Sequence, residues 1–478
     1  MSPDASRPRP SFFDRESSGG AIAREGFRFQ DEIALSYIPE WLGHEGFTEM
    51  ISEVMGDVEA KFFVPGIGFV REFIEVKDHS VTPSEFWKEI DRFHQLHAGA
   101  PGSYRWFTLV SCGLSDSLLP LRNSLRRLRG AYGFYDKGSA ILEHSYADFE
   151  KWVLRHDGRT TEDARFLFEM VLLKDEVSKD FAGEANFMGS MTENLPEFNQ
   201  VSAIQLRGAV CGLRTLLNRE DQRRIARTRI EACLAEAGGI GGLRERPVRL
   251  EVSGKPRNNL GKHIEFDWPH FFGGEERKFP PSEKWVRMIE ELSQTKEWIV
   301  EHRKKKRIFL SGEQRLPTFM AVGSVFAAVG GFVLEYQNRD GVWKTNAYPD
   351  SQTYSWKVDF RGGTSSEQIA VGIGVVRNIK DQVCSDLDER GLGGIPRLHL
   401  FNEAALVTAE QTNAAVEAGK REIGEAVARA GAKMMHLYVA GPAHFALFLG
   451  HRLKAICDVQ TYVWAGPIGY SPACRLSG

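Results

Sequence analysis

Arg71-Glu72-Phe73-Ile74-Glu75-Val76-Lys77 is the stretch that orders the rest of the chain. As a β-strand it puts Phe73, Glu75 and Lys77 on one face, because side chains alternate along a strand with period 2. A carboxylate and an ammonium on one strand face, beside a second acid, suit metal-assisted attack on a phosphodiester. Magnesium takes oxygen ligands from one or two carboxylates and from substrate phosphates. It stabilises charge on the phosphoryl group and helps make the nucleophile, while the lysine holds the attacking water or the developing charge. The second acid comes from Ile51 to Phe63, which alternates enough for a strand and carries Glu53, Asp57 and Glu59. Gly66 and Gly68 then mark a turn before the apolar run from Phe69. In an antiparallel pair Asp57 lies beside Glu75, and it is favoured over Glu53 and Glu59, although all three can share a face.

In these residues the chain resembles the PD-(D/E)xK nucleases, with Asp57 in the place of the motif's Asp and Glu75-Val76-Lys77 as its E-x-K. The alternative is a surface hairpin with ordinary charges, so the flanking order carries weight. Gly26 to Leu42 has helical period, with Phe29, Ile33 and Tyr37 on one face, Ala34, Ile38 and Trp41 on the next, and Pro39 as a kink or stop. Thr82-Pro83-Ser84-Glu85 is a capped helix start, followed by Phe86, Ile90 and Phe93 at helical spacing. Trp106 to Ser111 is a buried strand. This order is compatible with the αβββαβ core of restriction-type nucleases. Gly26-Phe27-Arg28-Phe29-Gln30 resembles the opening of the nuclease domain found in anti-phage effectors. That likeness implies that Gln30, and with it Glu32, faces the metal site; the alternative is a glutamine on the solvent side of the helix. Arg122, Arg126 and Arg129 at helical spacing are either a basic stripe that tracks DNA phosphates or a solvated face.

Length and composition set the frame. A chain of 478 residues holds two to four domains. Its 42% hydrophobic and 26% charged residues are those of a globular protein. The net charge of −3 excludes a generally basic nucleic-acid binder, so any affinity for DNA has to come from local patches. Cys112, Cys211, Cys233, Cys384, Cys457 and Cys474 form no CxxC or zinc spacing, which points to free thiols in a reducing compartment. No signal peptide precedes the first helix, and no apolar run approaches the roughly 18 residues of a bilayer span. A bacterial cytoplasmic protein without a membrane partner is expected.

The expected organisation is a disordered lead-in (1–20), a nuclease domain (21–160), a helical subdomain or linker (161–244) and a sensor (245–478). The helical reading of the middle rests on the apolar runs 165–173 and 201–217 and on the arginine-rich 218–237. Gly238-Gly239-Ile240-Gly241-Gly242 is the linker, being flexible and poor in helix propensity.

The last half contains a weak repeat. Arg307–Gly312 and His436–Gly441 are strands, each followed by a helix and a second strand, Gly331–Tyr336 and Val459–Trp464. Gly323 and Gly450 hold matching places in the two helices. Ile369–Val376 and Arg397–Phe401 are further strands, and a helix of about 409–429 follows. Strand–loop–helix–strand used twice is a Rossmann-like pattern, in which ligands bind at loops beyond the carboxyl ends of strands. Gly372 and Gly374 lie inside a strand and are no dinucleotide fingerprint.

Leu437 to Leu453 resembles the SAVED domain, two fused CARF-like halves that sense cyclic oligonucleotides, over about 249–478. Asp267-Trp268, His270-Phe271-Phe272, Pro280-Pro281 and Trp285 resemble that domain's entry segment. The fold class is therefore α/β: a restriction-endonuclease-like αβββαβ core, a helical middle and a pair of fused Rossmann-like (CARF-like) halves. The two likenesses together imply an effector endonuclease of CBASS, the cyclic-oligonucleotide-based anti-phage system. It would bind a cyclic di- or trinucleotide, self-associate, and cut double-stranded DNA with Mg²⁺ (or Mn²⁺). Asp57 and Glu75 would hold the metal, with Lys77 and Gln30 completing the catalytic set. Loop positions nominate Gly312, Glu313, Arg315, Arg377, Asn378, Lys380, Gly441, Pro442 and Ala443 for the ligand. Backbone N–H groups at Gly312 and Gly441 would receive phosphates at a helix start, and Tyr336, Trp356 or Trp464 would stack on a base. Two other classes stay open: an unregulated restriction or repair endonuclease, and a non-catalytic nucleotide-binding protein.

Overall fold

The computed structural model describes residues 15–478 apart from 137, 179–182, 196–200, 219–223, 240–241, 254–261, 269–278, 349–353 and 365–366. The chain divides into two compact units with the boundary after Glu245. Most of the expected lead-in, and His270, Phe271 and Phe272 of the entry segment, lie outside the described residues.

The first unit opens with α1 (Arg15–Gly43), β1 (Phe47–Ser52), β2 (Val58–Val64), β3 (Gly68–Val81), α2 (Pro83–Gly99) and β4 (Tyr104–Leu114). Helix α1 runs through Pro39 rather than stopping there, and its start at Arg15 makes the last residues of the lead-in helical. Its two apolar rows, Phe29, Ile33 and Tyr37 with Ala34, Ile38 and Trp41, are all buried. Gly66 and Gly68 turn the β2–β3 hairpin at φ of 74° and 96°, values that L side chains rarely adopt. Helix α2 begins in a full capping box between Thr82 and Glu85 with Pro83 in its first turn. It buries Phe86, Ile90 and Phe93 against the sheet, with Phe93 stacked 5.2 Å from Phe107 and edge-on to Phe73 at 5.6 Å.

The unit continues with α3 (Leu119–Tyr132), α4 (Ala140–Leu154), α5 (Thr161–Met170), β5 (Val171–Lys174), α6 (Gly183–Asn194), α7 (Ala203–Leu217), β6 (Arg224–Ala226), α8 (Arg227–Gly238) and α9 (Gly242–Glu245). The sheet order is β5-β4-β3-β2-β1-β6. Residues 161–244 are thus more than a helical subdomain. Val171–Lys174 leave the helix to pair in parallel with β4, and Arg224–Ala226 pair antiparallel with β1. Arg227 here serves the fold: it is 1% exposed and binds Glu231 and the carbonyls of Leu42 and His44.

The second unit is built from β7 (Val248–Ser253), β8 (Ile264–Asp267), α10 (Ser282–Trp298), β9 (Arg307–Gly312), α11 (Leu316–Val325), β10 (Val333–Asn338) and β11 (Gly341–Lys344). Then come β12 (Lys357–Arg361), β13 (Gln368–Val375), α12 (Lys380–Glu389), β14 (Arg397–Asn402), α13 (Ala409–Ala430), β15 (Met434–Ala440), α14 (Ala443–Leu453), β16 (Asp458–Trp464) and β17 (Tyr470–Leu476). One sheet runs β11-β10-β9-β7-β8, the other β12-β14-β13-β15-β16-β17. The repeat becomes two parallel units, β9-α11-β10 and β15-α14-β16. Their helices cross at the matched glycines. A Cβ on Gly323 would lie 2.2 Å from the Leu447 carbonyl oxygen, and one on Gly450 would lie 2.3 Å from that of Met320.

Among the described residues no helix is long and apolar enough to cross a membrane. All six cysteines are free.

Candidate active site and ligand pocket

Asp57 sits just before β2, where the chain comes alongside the middle of β3. Its Oδ2 accepts the Val76 N–H at 2.7 Å, and its Oδ1 accepts the Gln30 side-chain amide from α1 at 2.7 Å. Strand alternation delivers Glu75 and Lys77 together, with Lys77 Nζ 2.8 Å from Glu75 Oε1. Helix α2 closes the cluster. Glu89 Oε1 takes Lys77 Nζ at 3.0 Å, and Arg92 Nη1 reaches Glu75 Oε2 at 3.0 Å and Glu89 Oε2 at 3.3 Å. Gln30 with Asp57, and Glu75 with Lys77, are therefore two hydrogen-bonded pairs brought together by the bond from the Val76 N–H to Asp57. Glu53 and Glu59 belong to neither: Glu53 lies across the bend from Asp57, and Glu59 pairs opposite Ile51 within the sheet. Glu32 is held away as well, in an ion pair with Arg214 on α7.

Burial, and then the charge of Glu75, pushes Asp57 up to about 6. Burial, Glu53 and Glu32 do the same to Asp31. Burial works against the Lys77 charge, but its bonds to Glu75 and Glu89 win and raise it, so the ammonium is kept. A carboxyl raised in the folded state ionises more readily when unfolded, so Asp57 lowers stability as pH rises from about 4 through about 6. Asp57→Asn should accordingly melt above the native chain at pH 8, with the gap narrowed at pH 5, as thermal unfolding at the two pH values will read.

A second site opens at the carboxyl ends of β13, β15 and β16 and the start of α11, a cleft of ≈ 330 Å³. Arg315, Arg377 and Trp464 line it with Gln314, Tyr462 and Tyr470, over an apolar floor from Pro317, Ile379 and Val439. Trp464 is 43% exposed, with the Arg377 guanidinium 5.9 Å from its ring centre. Beneath the wall Tyr438 stacks on Tyr462 at 4.3 Å and donates to Asp386 at 2.9 Å, and Arg390 holds Asp386 at 2.7 Å.

Comparison with known proteins gives a match in each unit. The profile described as "Cap4, dsDNA endonuclease domain" matches residues 18–203, and that of the "SMODS-associated and fused to various effectors sensor domain" matches 291–476. The chain joins a Cap4-type nuclease domain to a SAVED sensor domain. It is 28% identical to the CD-NTase-associated protein 4 of Moraxella osloensis, over 98% of this chain and 99% of that one. The protein of the same name from an Acinetobacter species is 27% identical over the same shares. The fold is that of the Acinetobacter baumannii Cap4 SAVED/CARF-domain receptor solved with the cyclic trinucleotide 3'3'3'-cAAA. That match has a TM-score of 0.84 and 23% identity, over 95% of this chain and 99% of the receptor. The same receptor with 2'3'3'-cAAA gives a TM-score of 0.83, again at 23% identity and over 95% of this chain and 99% of the receptor.

Several sequence expectations need correction in this frame. In the nuclease domain the α3 arginines are not a free basic stripe. Arg122 and Arg126 bind Asp175, and Arg129 donates to the carbonyls of Leu167 and Phe168, so all three tie α3 to the chain around β5. In the SAVED domain Gly312, Glu313, Asn378, Lys380, Gly441, Pro442 and Ala443 are not among the residues that line the cleft. Gly312 allows β9 to approach β7, since a Cβ there would meet the Val252 oxygen at 2.0 Å. The Asn378 side chain accepts the Lys380 N–H, and Lys380 Nζ is spent on Asp359. Pro442 and Ala443 start α14, whose next residue, His444, is buried against Trp343 and pushed down to about 4 by that burial. Tyr336 and Trp356 are core residues; of the three nominated aromatics, Trp464 reaches the cleft.

Glu89 and Arg92 were not found from sequence. A signal was available: Glu89 lies three residues after Phe86 and four before Phe93, an acid inside the apolar stripe of α2.

Proposed function

We propose that this chain is a CBASS effector of the bacterial cytoplasm, in which a cyclic oligonucleotide held in the SAVED cleft switches on cleavage of double-stranded DNA. The observation that carries the reading is the placing of Asp57, held by the Gln30 amide and the Val76 N–H, beside the strand that carries the Glu75–Lys77 pair. The donor chemistry there fits a hard divalent cation. Among the described residues no three His, Cys, Asp or Glu side chains form a metal cage, and Mg²⁺ prefers one or two carboxylates, completing its shell with waters and phosphates. Asp57 and Glu75 would hold Mg²⁺ or Mn²⁺, which when bound supplies positive charge at the phosphoryl oxygens and a more acidic water. The protein does the rest. The Gln30 amide and the Val76 N–H fix the Asp57 carboxylate. Lys77, kept charged between Glu75 and Glu89, aims its ammonium where an attacking water or the developing negative charge needs a donor.

In the sensor, Arg315 and Arg377 neutralise ligand phosphates and Trp464 stacks on a base. A cyclic trinucleotide is the preferred class, because the solved receptors of this fold hold one. The ligand activates only by binding the active state better than the resting one. Self-association through the SAVED domains is the route we favour, because the two loops after β9 and β15 differ in chemistry and suit head-to-tail contacts.

The test is plasmid DNA with Mg²⁺ and a panel of cyclic nucleotides that includes 3'3'3'-cAAA, with particle mass followed by light scattering. Degradation should require both ligand and divalent ion and should accompany a rise in mass. Arg377→Ala should raise the ligand concentration needed by about ten- to a hundredfold, the worth of one charge-assisted hydrogen bond. Cutting at one rate with and without every cyclic nucleotide would return the unregulated-endonuclease reading.

A further inference from the structure

A chain with net charge −3 must bind a polyanion through a local feature, and the α3 arginines are already bonded within the fold. A different feature meets the requirement. A cleft of ≈ 560 Å³ lies along α2, lined among others by Trp87, Lys88, Asp91, Arg92 and Arg159. Arg92 belongs to two places at once: it lines this cleft and lies 3.0 Å from the catalytic carboxylate Glu75. The cleft is thus linked to the catalytic cluster through Arg92.

Its charges sort cleanly. Arg159 is consumed by Asp91, with Nη2 3.0 Å from Oδ2, and its guanidinium rests 4.4 Å from the Trp87 ring centre. Trp87 is 7% exposed and its ring N–H has no hydrogen-bond partner. Lys88 is exposed and makes no ion pair among the described residues. Lys88 is therefore the uncommitted cation of the cleft, while Arg92 lines it with its guanidinium already shared among Glu75, Glu89 and the Met55 carbonyl. They stand one helical turn apart, about 6 Å along the axis, on the scale of the separation between neighbouring phosphates of a nucleic-acid strand.

We propose that this α2 cleft seats the sugar-phosphate backbone of the DNA strand next to the bond being cut, with Lys88 on a phosphate and Arg92 marking the end of the cleft beside Glu75. The assignment rests on the nuclease reading and adds the track along which the substrate strand enters. Such contacts carry charge and position but no base sequence, so the cleft binds unrelated duplexes alike. Each phosphate contact also releases counterions and steepens the dependence of affinity on salt.

The experiment is fluorescence anisotropy of full-length protein with labelled duplexes of two unrelated sequences. It is run in EDTA so that no strand is cut, at several salt concentrations, with and without 3'3'3'-cAAA. Lys88→Ala, which removes no intramolecular ion pair, should weaken binding severalfold on both duplexes and flatten the plot of log affinity against log salt by about one. Lys88→Glu should weaken it further, while Arg126→Ala should leave the slope unchanged. Native affinity and slope in both Lys88 variants overturn the proposal, as does flattening by Arg126→Ala alone, which would return the track to α3. A native chain that binds neither duplex in any condition overturns the nuclease reading together with this one, an outcome distinct from normal binding that ignores Lys88.

Discussion

Glu75→Ala should lower DNA cleavage on the order of a hundred- to a thousandfold or more while leaving cyclic-nucleotide affinity unchanged. Glu75 is the node of the site: one oxygen faces Lys77 at 2.8 Å and the other faces Arg92 at 3.0 Å. Removing it takes away an oxygen of the proposed metal site and leaves two cations sharing Glu89. A buried cation with a missing partner is costly, so a fall in activity alone does not separate chemistry from folding. Glu75→Gln, which keeps the shape and one acceptor, resolves this. It should melt near the native chain and still fail to cut. Plasmid degradation with purified protein, alongside calorimetric titration of ligand, reads both arms. Full activity in a folded Glu75→Ala protein would sink the assignment of the active site.

Gly323→Leu should unfold or loosen the sensor, costing about 3 kcal/mol or more, at or above the upper end of ordinary overpacking. The obstruction is backbone: a Cβ at 323 would sit 2.2 Å from the Leu447 oxygen and 2.6 Å from the His451 nitrogen. No rotamer change relieves a clash with another helix's main chain, so α11 and α14 would have to part. The ligand cleft would go with them, because Leu316 and Pro317 of α11 line it. Thermal unfolding and ligand titration should therefore both fail in this variant. Gly424→Ala on α13 is the matched control. Nothing lies within 4 Å of its missing Cβ, so the change should be neutral or add up to about 1 kcal/mol. A Gly323→Leu protein that melts and binds like the native chain would show that the helices do not cross at these glycines.

What could be read from the sequence followed the range of the physics involved. Period-2 alternation brought Glu75 and Lys77 to one face, and the Thr82–Glu85 box fixed the start of α2, because both are set by neighbours in the chain. The repeat around Gly323 and Gly450 was visible as matched spacing, although its meaning as a point of contact was not. The edges of the first sheet were hidden. Val171–Lys174 continue an apolar run that suits a helix, and Arg224–Ala226 suit a basic helix start. Their strand pairing is decided by β4 and by β1, the latter some 175 residues away in the chain. Loop residues in the sensor that lie off the cleft were placed by a related kind of reasoning. Following a strand identifies the correct end of a sheet, but whether Lys380 faces a ligand or Asp359 depends on a strand that no local pattern connects to it.

The provenance of those edge strands bears on how such effectors exchange parts. A sheet edge that loses its cover presents unpaired backbone groups to any passing strand, an invitation to aggregate. A recombination joint near residue 160 would sever β5 and β6 together and leave both rims of the cutting domain bare. A joint after Glu245 keeps them. The piece that has to move intact to keep both edges is then the whole stretch up to Glu245, some forty residues beyond the end of the nuclease profile match at 203. Lineages that swap one cutting domain for another on the same sensor should have their crossovers in the glycine-rich segment just before that point, where a new partner inherits a finished sheet.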